Sequence, residues 1–149
     1  MTTLRVQSED FDAGVEMRKL CAGNKTIGAL VSFVGLVRDV NDGSSVSSMT
    51  LEHYPGMTEA ALGQIVEQAK GRWEILDCTV IHRVGRLKPA DQIVLVIVAS
   101  AHRGQAFEAC EFIMDYLKTQ APLWKKEHTP GGEHWVEARE GDDNAAARW

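Results

Sequence analysis

Apolar positions alternate with polar ones in several short runs and recur every three to four residues in longer ones, so strands and helices interleave along the chain. "TLRVQ" near the start reads as a short strand, and "FDAGVEMRKLCA" as an amphipathic helix carrying Val15 and Leu20, with Asp12 at its start and Gly23 and Asn24 at its stop. "TIGALVSFVGLVR", Thr26 to Arg38, is β-rich and apolar on both faces, which predicts a central strand emerging at Arg38 into "DVNDGSS", where Asp42-Gly43 signals a tight turn. "VSSMTLEHY" predicts a second strand returning antiparallel to it. "GMTEAALGQIVEQAKGRW" places Leu62, Ile65, Val66, Ala69 and Trp73 at helical spacing. "ILDCTVIHRVG" and "DQIVLVIVASA" are two further strands joined through the Pro89 turn, the second apolar enough to be buried on both faces. "HRGQAFEACEFIMDYLKTQA" aligns Phe107, Cys110, Ile113, Met114 and Leu117 along one face and stops before Pro122. A lysine-bearing loop follows, then a last strand in "EHWVEA", and the residues after Glu140 read as a frayed tail or an arm ordered by a partner. The pattern is α+β with a mostly antiparallel sheet, in one domain spanning 1–149.

Composition narrows the function classes. The 149 residues suffice to bury about two-thirds of the surface an unfolded chain exposes. A net charge of −5 argues against a broad attraction to nucleic acid or anionic membrane and leaves room for a local anion site. Cys21, Cys78 and Cys110 are far apart and lie in apolar segments, which predicts reduced, buried thiols and a cytoplasmic setting. The histidines, His53, His82, His102, His128 and His134, show no zinc spacing, so neither a metal nor a cofactor is expected. The start, "MTTLRVQSEDF", lacks a leader pattern, and the longest apolar run, Ile93 to Ala101, is too short to cross a bilayer.

The candidate chemistry is cationic. His102 and Arg103 open a helix, where free backbone N–H groups and the positive dipole end favour a phosphate-sized anion. Lys118 falls in the last turn of that helix, where a plain dipole interaction is the alternative. Lys125 and Lys126 follow Pro122 and Trp124; neighbouring ammonium groups and partial burial would lower a lysine pKa toward proton transfer or nucleophilic work. Arg38 at a strand exit is, alone, an ordinary surface residue. Cys110 on an apolar helix face reads as packing. These residues define an anion-binding α+β protein without naming a reaction.

Six motifs in order, "FVGLVR" (33–38), "LEHYPGMTE" (51–59), "IHRVG" (81–85), "SAHR" (100–103), "FIMDYLKTQAPLWKKE" (112–127) and "WVEARE" (135–140), resemble the catalytic, large subunit of molybdopterin synthase from about Thr26 to Trp149. The resemblance implies an α/β hammerhead-type fold with an additional antiparallel β subdomain. It implies a sulfurtransferase of molybdenum cofactor biosynthesis that converts cyclic pyranopterin monophosphate to molybdopterin. The two sulfurs come from the C-terminal Gly-Gly thiocarboxylate of a small ubiquitin-like partner subunit, and two large subunits form the centre of a heterotetramer. It assigns Lys118 and Lys125 as catalytic. Leu36, Val37, Arg38, His102 and Arg103 fall at substrate-binding positions, Lys126 and Glu127 flank the pocket, and Arg139 reaches the site of the neighbouring large subunit. Two rivals are a non-catalytic anion- or protein-binding module, whose association charge reversal at Lys118 would weaken, and a phosphate-ester hydrolase using His102, which would turn over without a partner protein.

Overall fold

The structure, a computed structural model, describes residues 2–41, 44–45, 48–136 and 140–149. In chain order the elements are β1 (Thr2–Gln7), α1 (Ala13–Cys21), β2 (Ala29–Leu36), β3 (Val40–Asn41), β4 (Ser44–Ser45), β5 (Ser48–His53), α2 (Met57–Arg72), β6 (Asp77–Arg83), β7 (Gly85–Leu87), β8 (Gln92–Ser100), α3 (Arg103–Gln120), β9 (Leu123–Thr129), β10 (Gly132–Val136) and α4 (Glu140–Ala147). This is the expected α+β class. A first sheet has strand order β1-β6-β8-β2, with β1 and β6 parallel and the other neighbours antiparallel; a second, antiparallel sheet has order β10-β9-β5-β7.

β8 is the centre of the first sheet. All its residues after Gln92 are buried, because "IVLVIVAS" carries no charge on either face and both faces are covered. On one side Val94, Val96 and Val98 pack with Cys78 and Val80 of β6 under α2 and α3; on the other Leu95, Ile97 and Ala99 pack with Ile81 against Phe11 and Leu20 around α1. Each such side chain contributes about 1.5–3 kcal/mol by leaving water. α1 starts where expected, with Asp12 accepting the Val15 N–H at 3.0 Å, and ends near Gly23, whose φ of +74° suits glycine.

Several sequence expectations are corrected. β2 is an edge strand; its mixed face of half-exposed residues, with Phe33 and Leu36 at 41% and 53% exposure, marks an open border where a buried centre was expected. β5 does not return along β2 but joins the second sheet between β7 and β9. The Asp42-Gly43 turn lies outside the described residues. Phe107 is 61% exposed while Cys110, Ile113, Met114 and Leu117 are buried as expected. The lysine-bearing segment after Pro122 is the strand β9, whose backbone groups are satisfied by β5 and β10 on either side. The C-terminal tail packs on the chain's own α3: the Trp149 indole N–H donates to Asp115 at 2.6 Å, Arg148 pairs with Glu111 and Asp115, and the Trp149 ring meets Trp73 and Phe112 edge-on.

Two backbone devices place the later candidates. A register shift between Gly35 and Leu36 ends β2, after which the Val37 N–H donates to the Asp91 carbonyl and Val37 accepts from Ala90, so Arg38 leaves at the start of β8. At the opposite end the Gly28 N–H donates to the Ser100 carbonyl at 3.0 Å, and a Cβ on Gly28 would lie 2.1 Å from the Ala101 carbonyl oxygen. Gly28 thus lets β2 approach the turn that leads into α3. Gly28→Ala is expected to cost about 2 kcal/mol by overpacking against backbone, read as a lower urea midpoint at unchanged m-value.

Candidate active site

α3 spans 18 residues, or about 27 Å, and β8 from Gln92 to Ser100 covers about 26 Å, so the helix returns along the whole strand. Its start therefore sits at the Ser100 end and its last turn at the Gln92 end. That geometry sorts the candidates. Lys118 in the last turn, Val37 and Arg38 beyond β2 and His82 near the end of β6, opposite Val94, occupy the Gln92 end. His102 and Arg103 occupy the other, about 26 Å away. Within one chain the two cationic groups do not meet. Leu36 and Arg38 are exposed, whereas Val37 is buried and enters the site only through its neighbours.

The second sheet brings Lys125 to the Gln92 end. Alternation on β9 puts Leu123, Lys125 and Glu127 on one face, opposite His53, Leu51 and Met49 of β5, and burial of Met49, Leu51 and Glu127 identifies this face as the inner one. Trp124, Lys126 and His128 point outward. Adjacent Lys125 and Lys126 are therefore on opposite faces and do not act as one charge pair. Lys126 instead lies 3.1 Å from Glu133 and stands over the Trp135 ring at 5.4 Å, and His128 lies 3.0 Å from both Glu133 and the Thr50 hydroxyl. The hydrogen bond from Lys126, with His128 beside it, holds the Glu133 carboxyl below the usual carboxylate range. Arg139 lies outside the described residues.

Thr58, buried at the start of α2, anchors the segment between Lys118 and Lys125. Its hydroxyl accepts from the Tyr54 N–H at 3.1 Å and lies 3.3 Å from the Pro122 carbonyl, so α2, the end of β5 and the entry to β9 share one contact. At the far end, His102 caps α3 with extended backbone and no side-chain cap, and no acid occupies the first turn, which leaves that terminus suited to an anion.

One residue absent from the sequence-based candidates belongs to the site. His82 follows Cys78 and Val80 on the β6 face turned to α2 and α3, and is 4% exposed. Its Nδ1 lies 2.8 Å from the Arg83 carbonyl, which only accepts, so Nδ1 carries the proton. Burial foremost, with the positive charges of Lys118 and Lys125 and the neighbouring His53, brings its pKa down to about 4 against the Arg83 hydrogen bond. Both lysines thus act on the same imidazole. Period-two placement at the end of an otherwise apolar strand face is the signal in the sequence that points to it.

The remaining polar groups do other work. Burial pushes the Cys78 and Cys110 thiols up to about 12, so they are inert packing groups. Among the described residues no cluster of His, Cys, Asp or Glu is placed to hold a metal, and no helix is long and apolar enough to cross a membrane. A groove of ≈ 470 Å³ between β1 and α2, lined by Leu4, Gly63 and Gln64, lies on the far edge of the first sheet and contains none of these cations.

Fold and site together define an α+β protein with two lysines and a buried imidazole at one sheet end and a separate cationic helix start at the other. The chain belongs to the MoaE family: the MoaE protein model matches residues 6–120. A "Molybdopterin synthase catalytic subunit" from Ralstonia nicotianae is 64% identical over 149 residues, covering 100% of this chain and 85% of that one. The solved "Molybdopterin biosynthesis MoaE protein from Burkholderia ambifaria MC40-6" is 57% identical with TM-score 0.86, covering 100% of this chain and 98% of that one. A "Protein-protein complex of subunit 1 and 2 of Molybdopterin-converting factor from Helicobacter pylori 26695" matches with TM-score 0.72 at 19% identity, covering 93% of this chain and 91% of that one, a likeness of fold.

The His82 environment has a pH consequence. The unfolded chain takes up a proton near 6.5, the folded His82 only near 4, so the unfolded state binds more protons between these values and stability falls as pH drops through that window. The share of His82 is roughly 3 kcal/mol at its fullest, and denaturant melts from pH 7.5 to 4.5 are expected to show a steeper loss in the wild type than in His82→Gln.

Proposed function

We propose that this chain transfers sulfur to cyclic pyranopterin monophosphate, forming molybdopterin, and that the sulfur arrives as the C-terminal Gly-Gly thiocarboxylate of a small ubiquitin-like partner subunit. The observation that carries the reading is that Lys118 from α3 and Lys125 from β9 lie at the same sheet end, near enough for their charges to lower the pKa of the buried His82. A thiocarboxylate sulfur attacking a pterin side-chain carbon leaves negative charge on acyl and alkoxide oxygens. Fixed ammonium groups stabilise that charge, which is the form of catalysis two lysines without a reactive cysteine can supply. Lys125 is half-buried, and Lys118 is exposed on the chain by itself. The name that close relatives carry, "Molybdopterin synthase catalytic subunit", supports a further subunit as partner. The free, buried thiols of Cys78 and Cys110 fit a cytoplasmic setting.

The separation of the two cationic ends supports a homodimer with shared sites. Arg103, Phe107, Met114 and Lys118 follow one stripe of α3, and this stripe adjoins the open β2 edge with Phe33 and Leu36. A two-fold axis across this border sets the start of one copy's α3 against the end of the other's. His102 and Arg103 of one copy then complete the anion site beside Arg38, Lys118 and Lys125 of its partner, with Glu127 on the inner face and Leu36 at the rim.

Reconstitution with a thiocarboxylated partner and cyclic pyranopterin monophosphate is expected to yield dithiolene product, and Lys118→Ala to lower its rate by at least about 100-fold. Full turnover by Lys118→Ala would end the catalytic assignment. When Lys118→Ala and Arg103→Ala copies, each inactive alone, are co-assembled, shared sites are expected to restore about a quarter of wild-type activity, since half the dimers are mixed and each holds one intact site. A site contained in one chain restores none.

A further inference from the structure

Between β7 of the second sheet and β8 of the first lies the four-residue turn Lys88–Pro89–Ala90–Asp91. The Asp91 N–H donates to the Lys88 carbonyl at 3.0 Å, and the Lys88 N–H donates to the Asp91 carboxylate at 2.8 Å, so the turn is closed twice. Pro89 fixes a negative φ at the second position, whereas Ala90 at the third has φ +74°, which makes this a type II turn. That position ordinarily takes glycine or asparagine, and among the described residues Ala90 is the one non-glycine with a positive φ. Rotating the Pro89–Ala90 peptide by about 180° gives a type I turn, which suits alanine and leaves the Lys88–Asp91 backbone bond intact. It would also turn the Ala90 N–H away from its acceptor.

That acceptor is Val37. The Ala90 N–H donates to the Val37 carbonyl at 2.8 Å, the Val37 N–H donates to the Asp91 carbonyl at 2.9 Å, and the Val37 side chain is buried in the core cluster with Met49, Leu87 and Ile93. The register of β2 on β8 slips between Gly35 and Leu36, so beyond the slip the turn takes over as the strand's partner. The Val37 carbonyl belongs to the planar peptide that enters Arg38, so the bond from Ala90 fixes the plane from which that exposed arginine departs. The same turn ties the parts of the site together. Leu87 pairs with Met49 of β5, whose other neighbour β9 carries Lys125, and β8 starts directly after Asp91 beneath α3, which ends in Lys118.

We propose that the Lys88–Asp91 turn is a positioning device for Arg38: Ala90, kept in the left-handed region by its bond to Val37, and Asp91, whose carboxylate closes the turn, set where the guanidinium begins its reach for the phosphate of the substrate. Left-handed backbone at a non-glycine persists only where the surroundings over-determine it, and such strain collects at sites that must be formed in advance. Arginine loses much rotamer freedom on binding, and a backbone fixed beforehand reduces the ordering left to do. The turn acts through Arg38 and enters no bond-making step.

This inference rests on the sulfur-transfer reading for its kinetic arm and not for its exchange arm. With wild-type turnover established first, Ala90→Val, which disfavours the positive φ, and Asp91→Ala, which removes the acceptor for Lys88, are expected to raise KM for cyclic pyranopterin monophosphate about 10-fold at nearly unchanged kcat. KM for the thiocarboxylated partner is expected to stay unchanged. Ala90→Gly and Asp91→Asn, which keep the turn's φ and its acceptor, are expected to remain within about threefold of wild type. In an Arg38→Ala background, Ala90→Val is expected to add nothing, because the two act through one contact. Independently of any reaction, the backbone amides of Val37 and residue 90 are expected to exchange with solvent about 10-fold faster in Ala90→Val than in the wild type. Absence of product with the wild-type protein would sink the sulfur-transfer reading and leave the exchange arm to decide. Wild-type exchange in Ala90→Val, an unmoved KM in both disruptive variants, an equal rise in KM for the partner protein, or a full further loss in the Arg38→Ala background would overturn the role of the turn. If Ala90→Val fails to fold, the Ala and Asn substitutions of Asp91 decide.

Discussion

The burial of β8 between two apolar layers sets the geometry of the whole molecule. A strand without a charged side chain must be covered on both faces, and α3, of nearly equal length, supplies much of one cover by running back along it. Two consequences follow from that pairing alone. The turn of chain between β8 and α3 carries His102 and Arg103 to one end, and the last turn of α3 carries Lys118 to the other.

The second sheet solves a different problem. A lysine following a proline on a loop would be solvated and mobile, with its ammonium in high dielectric. As part of β9, paired on both sides, Lys125 is held on the inner face opposite Leu51 and is half-buried. The same alternation turns Lys126 to the opposite face, where Glu133 and Trp135 engage it. Adjacent residues of identical chemistry thus acquire unrelated surroundings.

The open β2 border is the feature on which the proposed dimer rests. Natural edge strands are protected by charge, brevity or cover, and β2 has Phe33 and Leu36 exposed, with Phe107 exposed on the helix that packs beside it. In the proposed two-fold dimer, covering this border and completing the anion site would be one event. Stability and activity would be coupled through the same contact.

The elements themselves were legible in the sequence. The helix stripe from Cys110 to Leu117, the Asp12 cap and the apolar run of β8 follow from periods of 3.6 and 2 and from local hydrogen bonding, which act within a few residues. Lys118, Lys125, Arg38, His102 and Arg103 were legible as cations at element ends and, by resemblance, as site residues. What the sequence could not determine was partnership. Periodicity describes the faces of β2 and β5 without saying which strand lies beside them, so β2 was expected at the centre and β5 at its side. For the same reason Trp149 read as a loose tail, although Trp73, Phe112 and Asp115, brought together from distant positions, hold it. His82 is the clearest case: a histidine on an apolar strand acquires its neutral state from burial and from lysines 36 and 43 residues further along the chain, and only tertiary structure brings those charges to it. Local order comes from short-range periodicity and capping, whereas the site depends on desolvation and Coulomb interactions that act through space.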